Sequence, residues 1–217
     1  MKKFELTTNT KMFWGRNLFQ IKALVSFGDV KEGEFGGFVE KEENLDHDGD
    51  AWVYGNAKVY GNAKVYGNAK VCGDAEVCGN AEVYGNAKVC GDAEVCGNAE
   101  VCGDAKVYGN AEVYGDAKVY GNAWVYGNAE VYGDAKVCGD AKVYENANYT
   151  TIKGFGTEFR TTTFFKCKDG VTRVRCGCFY GDLNKFREQV KNTRAGKIAE
   201  EYLMIADLME KHFEEGD

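Results

Sequence analysis

From Val53 to Val143 a valine falls at every sixth position without a slip, and five other positions keep step with it. The frame is Val, then Tyr or Cys, then Gly, then Asn or Asp, then Ala, then a variable and usually charged residue. It runs sixteen times between about Ala51 and Ala147, and Glu145 alone breaks the glycine column. A short fixed period over almost half of a chain is the signature of a solenoid, in which each repeat buries its apolar side only by stacking on the next.

Within one hexad the letters read as a short strand and a corner. Ala57-Lys58-Val59-Tyr60 alternates with period two, so Ala57 and Val59 point to one side while Lys58 and Tyr60 point to the other. Gly61-Asn62 follows, and both residue types tolerate positive φ, which lets the chain turn at little steric cost. Repetition gives a flat-sided coil with valine and alanine filling its bore.

The period alone does not fix the number of sides. The pairs Val53/Ala57, Val59/Ala63 and onward to Val143/Ala147 resemble the hexapeptide family of left-handed parallel β-helices, where an aliphatic residue is followed four positions later by a small one. The resemblance implies three sides, hence three hexads per coil, and a mainly β fold. Tyr or Cys after the valine departs from the family's usual Gly, Ala or acid. The expected organisation is an N-terminal β cap over 1–40, the repeat helix over 41–149, and a C-terminal hairpin with two helices over 150–217. The repeat block amounts to roughly five to six coils, about 25 Å tall at ~4.8 Å per coil.

A net charge of −7 speaks against general nucleic-acid affinity. Proline is absent, as suits a ladder that uses backbone N–H donors. The N-terminus lacks an apolar run of signal-peptide or membrane-span length, so a cytoplasmic protein is expected. Six of the nine cysteines (Cys72, Cys78, Cys90, Cys96, Cys102, Cys138) share the repeat position with tyrosine. Cys72 stacks one coil from Cys90, and Cys78 one coil from Cys96, within disulfide reach; their parallel Cβ vectors and the odd total favour free thiols.

Outside the repeat, Asn17 to Phe27 is expected to pair with a strand near Phe4–Leu6, with turns at Gly28-Asp29 and Gly33. Tracing the frame backward puts Val39, Leu45 and Ala51 in the small inward position and His47 where valine belongs, as a capping-coil residue among Asp46, Asp48 and Asp50. After Ala147, Gly154-Phe155-Gly156 reads as a linker or last corner, and Thr161–Cys167 with Val171–Cys178 as a hairpin around Lys168-Asp169-Gly170. Asp182 is an N-cap for a helix through Val190 with Leu183, Phe186 and Val190 on one face. A second helix from Lys197 to Phe213 carries a stripe of Ile198, Tyr202, Ile205, Leu208 and Met209. Cys167, Cys176 and Cys178 with a distant His212 lack the spacing of a zinc ribbon and read as packing residues.

Both ends resemble something as well. The runs Gly15-Arg16-Asn17-Leu18-Phe19-Gln20-Ile21-Lys22-Ala23-Leu24, Phe27-Gly28-Asp29-Val30 and Gly36-Gly37-Phe38-Val39-Glu40 look like the start of phage- and prophage-encoded proteins with "YGNA" repeats. Val174-Arg175-Cys176-Gly177-Cys178-Phe179-Tyr180-Gly181-Asp182-Leu183 is similar to a C-terminal module of phage-associated repeat proteins. The resemblance implies a mobile-element origin and no particular activity.

With three hexads per coil the variable position sorts into three columns: Trp52, Lys70, Lys88, Lys106, Trp124, Lys142; then Lys58, Glu76, Glu94, Glu112, Glu130, Asn148; then Lys64, Glu82, Glu100, Lys118, Lys136. The first column, beside Tyr54, Tyr108, Tyr126 and Tyr144, is a candidate surface for an acidic protein, a small anionic ligand, or the Glu76–Glu94–Glu112–Glu130 column of a second copy. Such heterologous contact generates rings, and hexapeptide relatives usually form trimers. The expected function is a non-enzymatic, phage-encoded scaffold or binding protein in the host cytoplasm, without cofactor, metal, nucleic acid or membrane. The alternatives are an anti-defence protein that sequesters a host signalling nucleotide or inhibits a host protein, and a hexapeptide-type acyltransferase. Acyltransferases need a histidine base and a protruding loop; here His47 and His212 are the only histidines and no loop interrupts the repeats. Ice-binding faces favour threonine and small residues over these long chains.

Overall fold

A computed structural model describes residues 2–214. Three strands open the chain, β1 (Phe4–Phe13), β2 (Arg16–Ala23) and β3 (Phe35–Val39). Sixteen two-residue strands follow, β4 to β19, one per hexad, from Trp52–Val53 through Lys142–Val143. They deal out in turn to three parallel sheets, and Lys88 pairs with Lys106 and Val89 with Val107, so one coil takes three hexads. The chain is thus a parallel β-solenoid of three walls. We call them basic (β4, β7, β10, β13, β16, β19), acidic (β5, β8, β11, β14, β17, led by β1–β3) and mixed (β6, β9, β12, β15, β18).

Valine and alanine fill the bore. Every hexad valine from Val53 to Val143 and every alanine from Ala51 to Ala141 is inaccessible to solvent. Each coil is held to the next by a backbone ladder in every hexad, which includes Lys88 N–H to Ala105 O (3.0 Å), Cys90 N–H to Val107 O (2.9 Å) and Asp92 N–H to Gly109 O (2.9 Å). At the corners the carboxamides run as ladders. Asn62 donates to Asn80, Asn80 to Asn98, and Asn98 to Asp116, at 2.9–3.2 Å. Asp accepts but has nothing to hand on, so it ends a ladder.

The first coil differs from the backward trace. Val39 pairs with Val59 and Leu45 bridges Val65, so both occupy valine positions, each two residues further from its partner than three hexads would put it. The two additional residues are absorbed in the corner between Leu45 and Ala51. His47 therefore sits in that corner, stacked on Phe4 with ring centroids 4.4 Å apart. Its Nδ1 accepts from the Lys3 N–H (3.1 Å) and its Nε2 lies 2.7 Å from Glu42. Phe4, Ile21, Ala23 and Val30 join the bore core and close this end.

At the other end the frame stops one residue type early. Glu145 stands where glycine turns the other corners; its φ is −154°, the chain enters a short 3₁₀ turn at Asn146–Asn148, and Ala147 is exposed. The tail is a four-stranded antiparallel sheet, β20 (Tyr149–Phe155), β21 (Arg160–Lys166), β22 (Thr172–Cys176) and β23 (Phe179–Asp182), not a lone hairpin. Gly154 and Phe155 belong to β20 rather than to a linker. Period-two alternation on β21 sends Phe165 into the bore-end core and Phe164 into a second core under the helices. Those helices are α1 (Leu183–Thr193), N-capped by the Asp182 side chain accepting from the Lys185 N–H at 2.8 Å, and α2 (Gly196–Phe213). Leu208, placed on the stripe by spacing, is 57% exposed, because Tyr202, Ile205, Ala206 and Met209 define the covered face. Cys167 packs at the bore end and Cys176 faces the second core, so the structure does not gather the three cysteines outside the repeat. No helix of the described residues is long and apolar enough to cross a membrane.

The corner glycines give a matched test. Gly79 has φ +69°, and a Cβ there would lie 2.9 Å from the backbone nitrogen of Gly97 in the next coil; Gly133 has φ +64° and open space around it. Gly133→Ala is expected to cost roughly 1–2 kcal/mol for the left-handed backbone alone, and Gly79→Ala distinctly more, measured as denaturant midpoints. Equal losses would mean that the coils do not stack this closely at their corners.

Candidate interaction surface

Period two on each two-residue strand turns the variable side chain outward, and the three-hexad register sets those side chains in lines. On the basic wall the pairings run Trp52–Lys70, Lys70–Lys88, Lys88–Lys106, Lys106–Trp124 and Trp124–Lys142. On the acidic wall they run Lys58–Glu76–Glu94–Glu112–Glu130. The mixed wall stacks Lys64–Glu82–Glu100–Lys118–Lys136 and neutralises itself in part, with Lys118 bonded to Glu100 at 2.5 Å.

The ends of these lines are not free. Trp52 is fully buried beneath the N-terminal strands, edge-on to Phe27 (5.3 Å) and Phe4 (6.3 Å), with its indole N–H unpartnered. It is a plug, and drops out of the candidate surface. Lys70 is held by Asp29, which raises its pKa above the ordinary lysine value despite some burial, and lies 6.0 Å over Tyr54. On the acidic wall Lys58 is buried beneath Phe13 (4.6 Å) and bonds Glu76 at 3.1 Å; the Tyr60 hydroxyl donates to the same carboxylate at 3.0 Å. Glu76 is therefore already satisfied within its own chain. Asn148 leaves its column for the 3₁₀ turn and caps the Tyr144 N–H.

What remains is the middle. Lys88 is exposed; Lys106 lies 4.8 Å over the Trp124 ring, and Lys168 from the C-terminal sheet lies 4.4 Å over that ring. Lys142 sits 6.0 Å over Tyr126, which leans on Tyr144 at 5.8 Å. Among the described residues Lys88, Lys106 and Lys142 form no ion pair. Tyr54 and Tyr108 are partly buried, and burial raises both phenols. Between them the tyrosine line is interrupted by Cys72 and Cys90, which form a disulfide with Cα atoms 4.5 Å apart. This corrects the expectation of free thiols there; that Cα spacing lies within the range the bond spans.

On the acidic wall, burial followed by the flanking charges of Glu76 and Glu112 raises the Glu94 carboxyl above its ordinary value. Glu112 is exposed, and Glu130 accepts from the Tyr114 hydroxyl at 3.3 Å. Two features carried no signal in the repeat: Asp29 on Lys70 and Lys168 on Trp124 come from segments without periodicity. A groove of about 630 Å³ lies beside His47, Leu45, Lys64, Tyr66 and Glu82. No protein-family model matches the chain, and no curated protein matches it.

The carboxylate line predicts a pH signature. A carboxyl whose pKa is higher folded than unfolded weakens the fold as pH rises through that interval, and the loss is complete above it. Glu94→Gln should therefore raise the melting midpoint at pH 7 by the equivalent of a few tenths of a kcal/mol. The gain should vanish below the ordinary carboxylate range, as followed by thermal melts across pH. A pH-independent difference would contradict the like-charge account.

Proposed function

We propose that the protein is a non-enzymatic scaffold or binding protein, of the phage-borne hexapeptide kind its repeat and end runs resemble, that docks an acidic protein surface on its basic wall. The observation that carries this reading is the line Lys88–Lys106–Trp124–Lys142, whose lysines form no ion pair among the described residues, whereas the mixed wall pairs its own Lys118 and Glu100. Stacked like charges cost a few tenths of a kcal/mol each; a partner's carboxylates would recover that and add cation–π-supported aromatic contact at Trp124. His47 does not favour acyl transfer, since Nδ1 accepts from Lys3 and Nε2 is bonded to Glu42, leaving neither nitrogen to take a substrate proton. The glutamates of a second copy are a specific form of the same reading. Glu94 and Glu112 lie on the neighbouring wall one hexad beyond Lys88 and Lys106, hence at nearly equal height, and also form no ion pair among the described residues. Contact between two different walls is heterologous and builds a ring or filament.

Polyglutamate on a biosensor surface tests the basic wall. At about 0.1 M salt the chain should bind despite its net charge of −7. Lys88→Glu with Lys106→Glu should weaken binding at least ~10-fold, while Lys64→Glu with Lys136→Glu on the mixed wall should leave it within ~2-fold, since screened surface charge acts over about 10 Å. Equal effects of the two pairs would remove the reading. Sedimentation of the same variants decides whether the partner is another copy: a salt-sensitive assembly dispersed only by the first pair supports it, and a monomer at every salt rejects it.

A further inference from the structure

The two coils that carry the Cys72–Cys90 bridge hold a second cysteine pair one corner further on. Cys78 and Cys96 occupy the same repeat position, three hexads apart, in the same register: Val77 pairs with Val95 as Val71 pairs with Val89. Cys78 N–H bonds Val95 O at 2.9 Å, as Cys72 N–H bonds Val89 O at 2.9 Å. Both are half-exposed free thiols. The third corner supplies an internal contrast, since Cys102 is also half-exposed but is stacked between Tyr84 and Tyr120, without a thiol one coil away.

We propose that Cys78 and Cys96 form a reversible dithiol site that reacts with small neutral or cationic disulfides and closes to a second bridge between the same two coils. Equal register and spacing give this pair the approach that already spans Cys72 and Cys90. In the first step a Cys78 thiolate attacks the reagent R–S–S–R, forming Cys78–S–S–R and releasing R–S⁻. In the second the Cys96 thiolate attacks the Cys78 sulfur, forming Cys78–S–S–Cys96 and releasing the second R–S⁻. The two thiol protons end on the two released thiols, so the chain loses two electrons and the reagent gains them. Either thiolate can lead; the neighbouring Cys96 thiol lowers the Cys78 pKa against burial and the charges of Glu76 and Glu94, which favours Cys78. Those two carboxylates, beside the pair on the acidic wall, set the class of reagent: they repel an anionic disulfide and attract a cationic one.

The full chain is incubated with cystamine, hydroxyethyl disulfide or oxidised glutathione and cleaved after glutamate without reduction. Cys78 and Cys96 then lie on identical peptides, Val77–Glu82 and Val95–Glu100, both Val-Cys-Gly-Asn-Ala-Glu. The expected product is a symmetric disulfide dimer of that peptide from monomeric protein on a non-reducing gel, while Cys102 keeps a reagent adduct. Cystamine should react at least about threefold faster than oxidised glutathione at low salt, and high salt should narrow the gap. In Cys96→Ser the adduct on Cys78 should persist, because no second thiolate is there to displace it. Reagent adducts that persist on Cys78 in the parent chain as they do on Cys102, or thiols that stay free there while Cys102 reacts, would overturn the proposal.

Discussion

Val71, Val89, Val107 and Val125 lie one above another down the basic wall, each carbonyl accepting from the coil before while the flanking N–H groups donate to the coil after. A valine side chain taken wholly from water contributes roughly 1.5–3 kcal/mol, and the alanines opposite leave it just enough room. Because the pairing is strict, a slip by one residue would turn every lysine and glutamate into the bore. The dry stack of small side chains therefore holds the charged lines in place, although it touches none of them.

The same constraint explains why charge can accumulate on two walls. In an ordinary sheet, shuffling the register relieves like charges that face each other. Here the valine register forbids that relief, and the chain tolerates Glu94 beside Glu112 and Lys88 beside Lys106. Where relief was available it was taken locally: Lys58 serves Glu76, Asp29 serves Lys70, and Lys118 serves Glu100. The unrelieved stretch is the middle of the rod, where neither cap supplies an ion-pair partner among the described residues.

The walls and columns were legible in the sequence because a period of six with alternating polarity admits few arrangements, and resemblance to the hexapeptide family supplied the third side. The ends were less legible for physical reasons. Trp52 stands at an outward position, but Phe4 and Phe27, far off in sequence, cover it. The two residues absorbed between Leu45 and Ala51 shift Val39, Leu45 and His47, and a backward trace has no means of sensing a corner that widens. Asn148 and Ala147 fall away because Glu145 cannot make the turn that glycine makes. The lysine that frames Trp124 comes from the C-terminal sheet, whose placement depends on Phe165 plugging the bore.

The central claim is that one circuit of the rod takes three hexads around a valine–alanine bore. Nitroxides placed at positions 70 and 142 through a non-cysteine chemistry test it by pulsed dipolar spectroscopy. Twelve hexads separate those positions, a whole number of circuits whether the rod has two, three or four walls. At ~4.8 Å per coil, three walls predict a backbone separation of about 19 Å. A distribution centred near about 29 Å, as for two walls, or about 14 Å, as for four, would contradict the fold and every surface built on it.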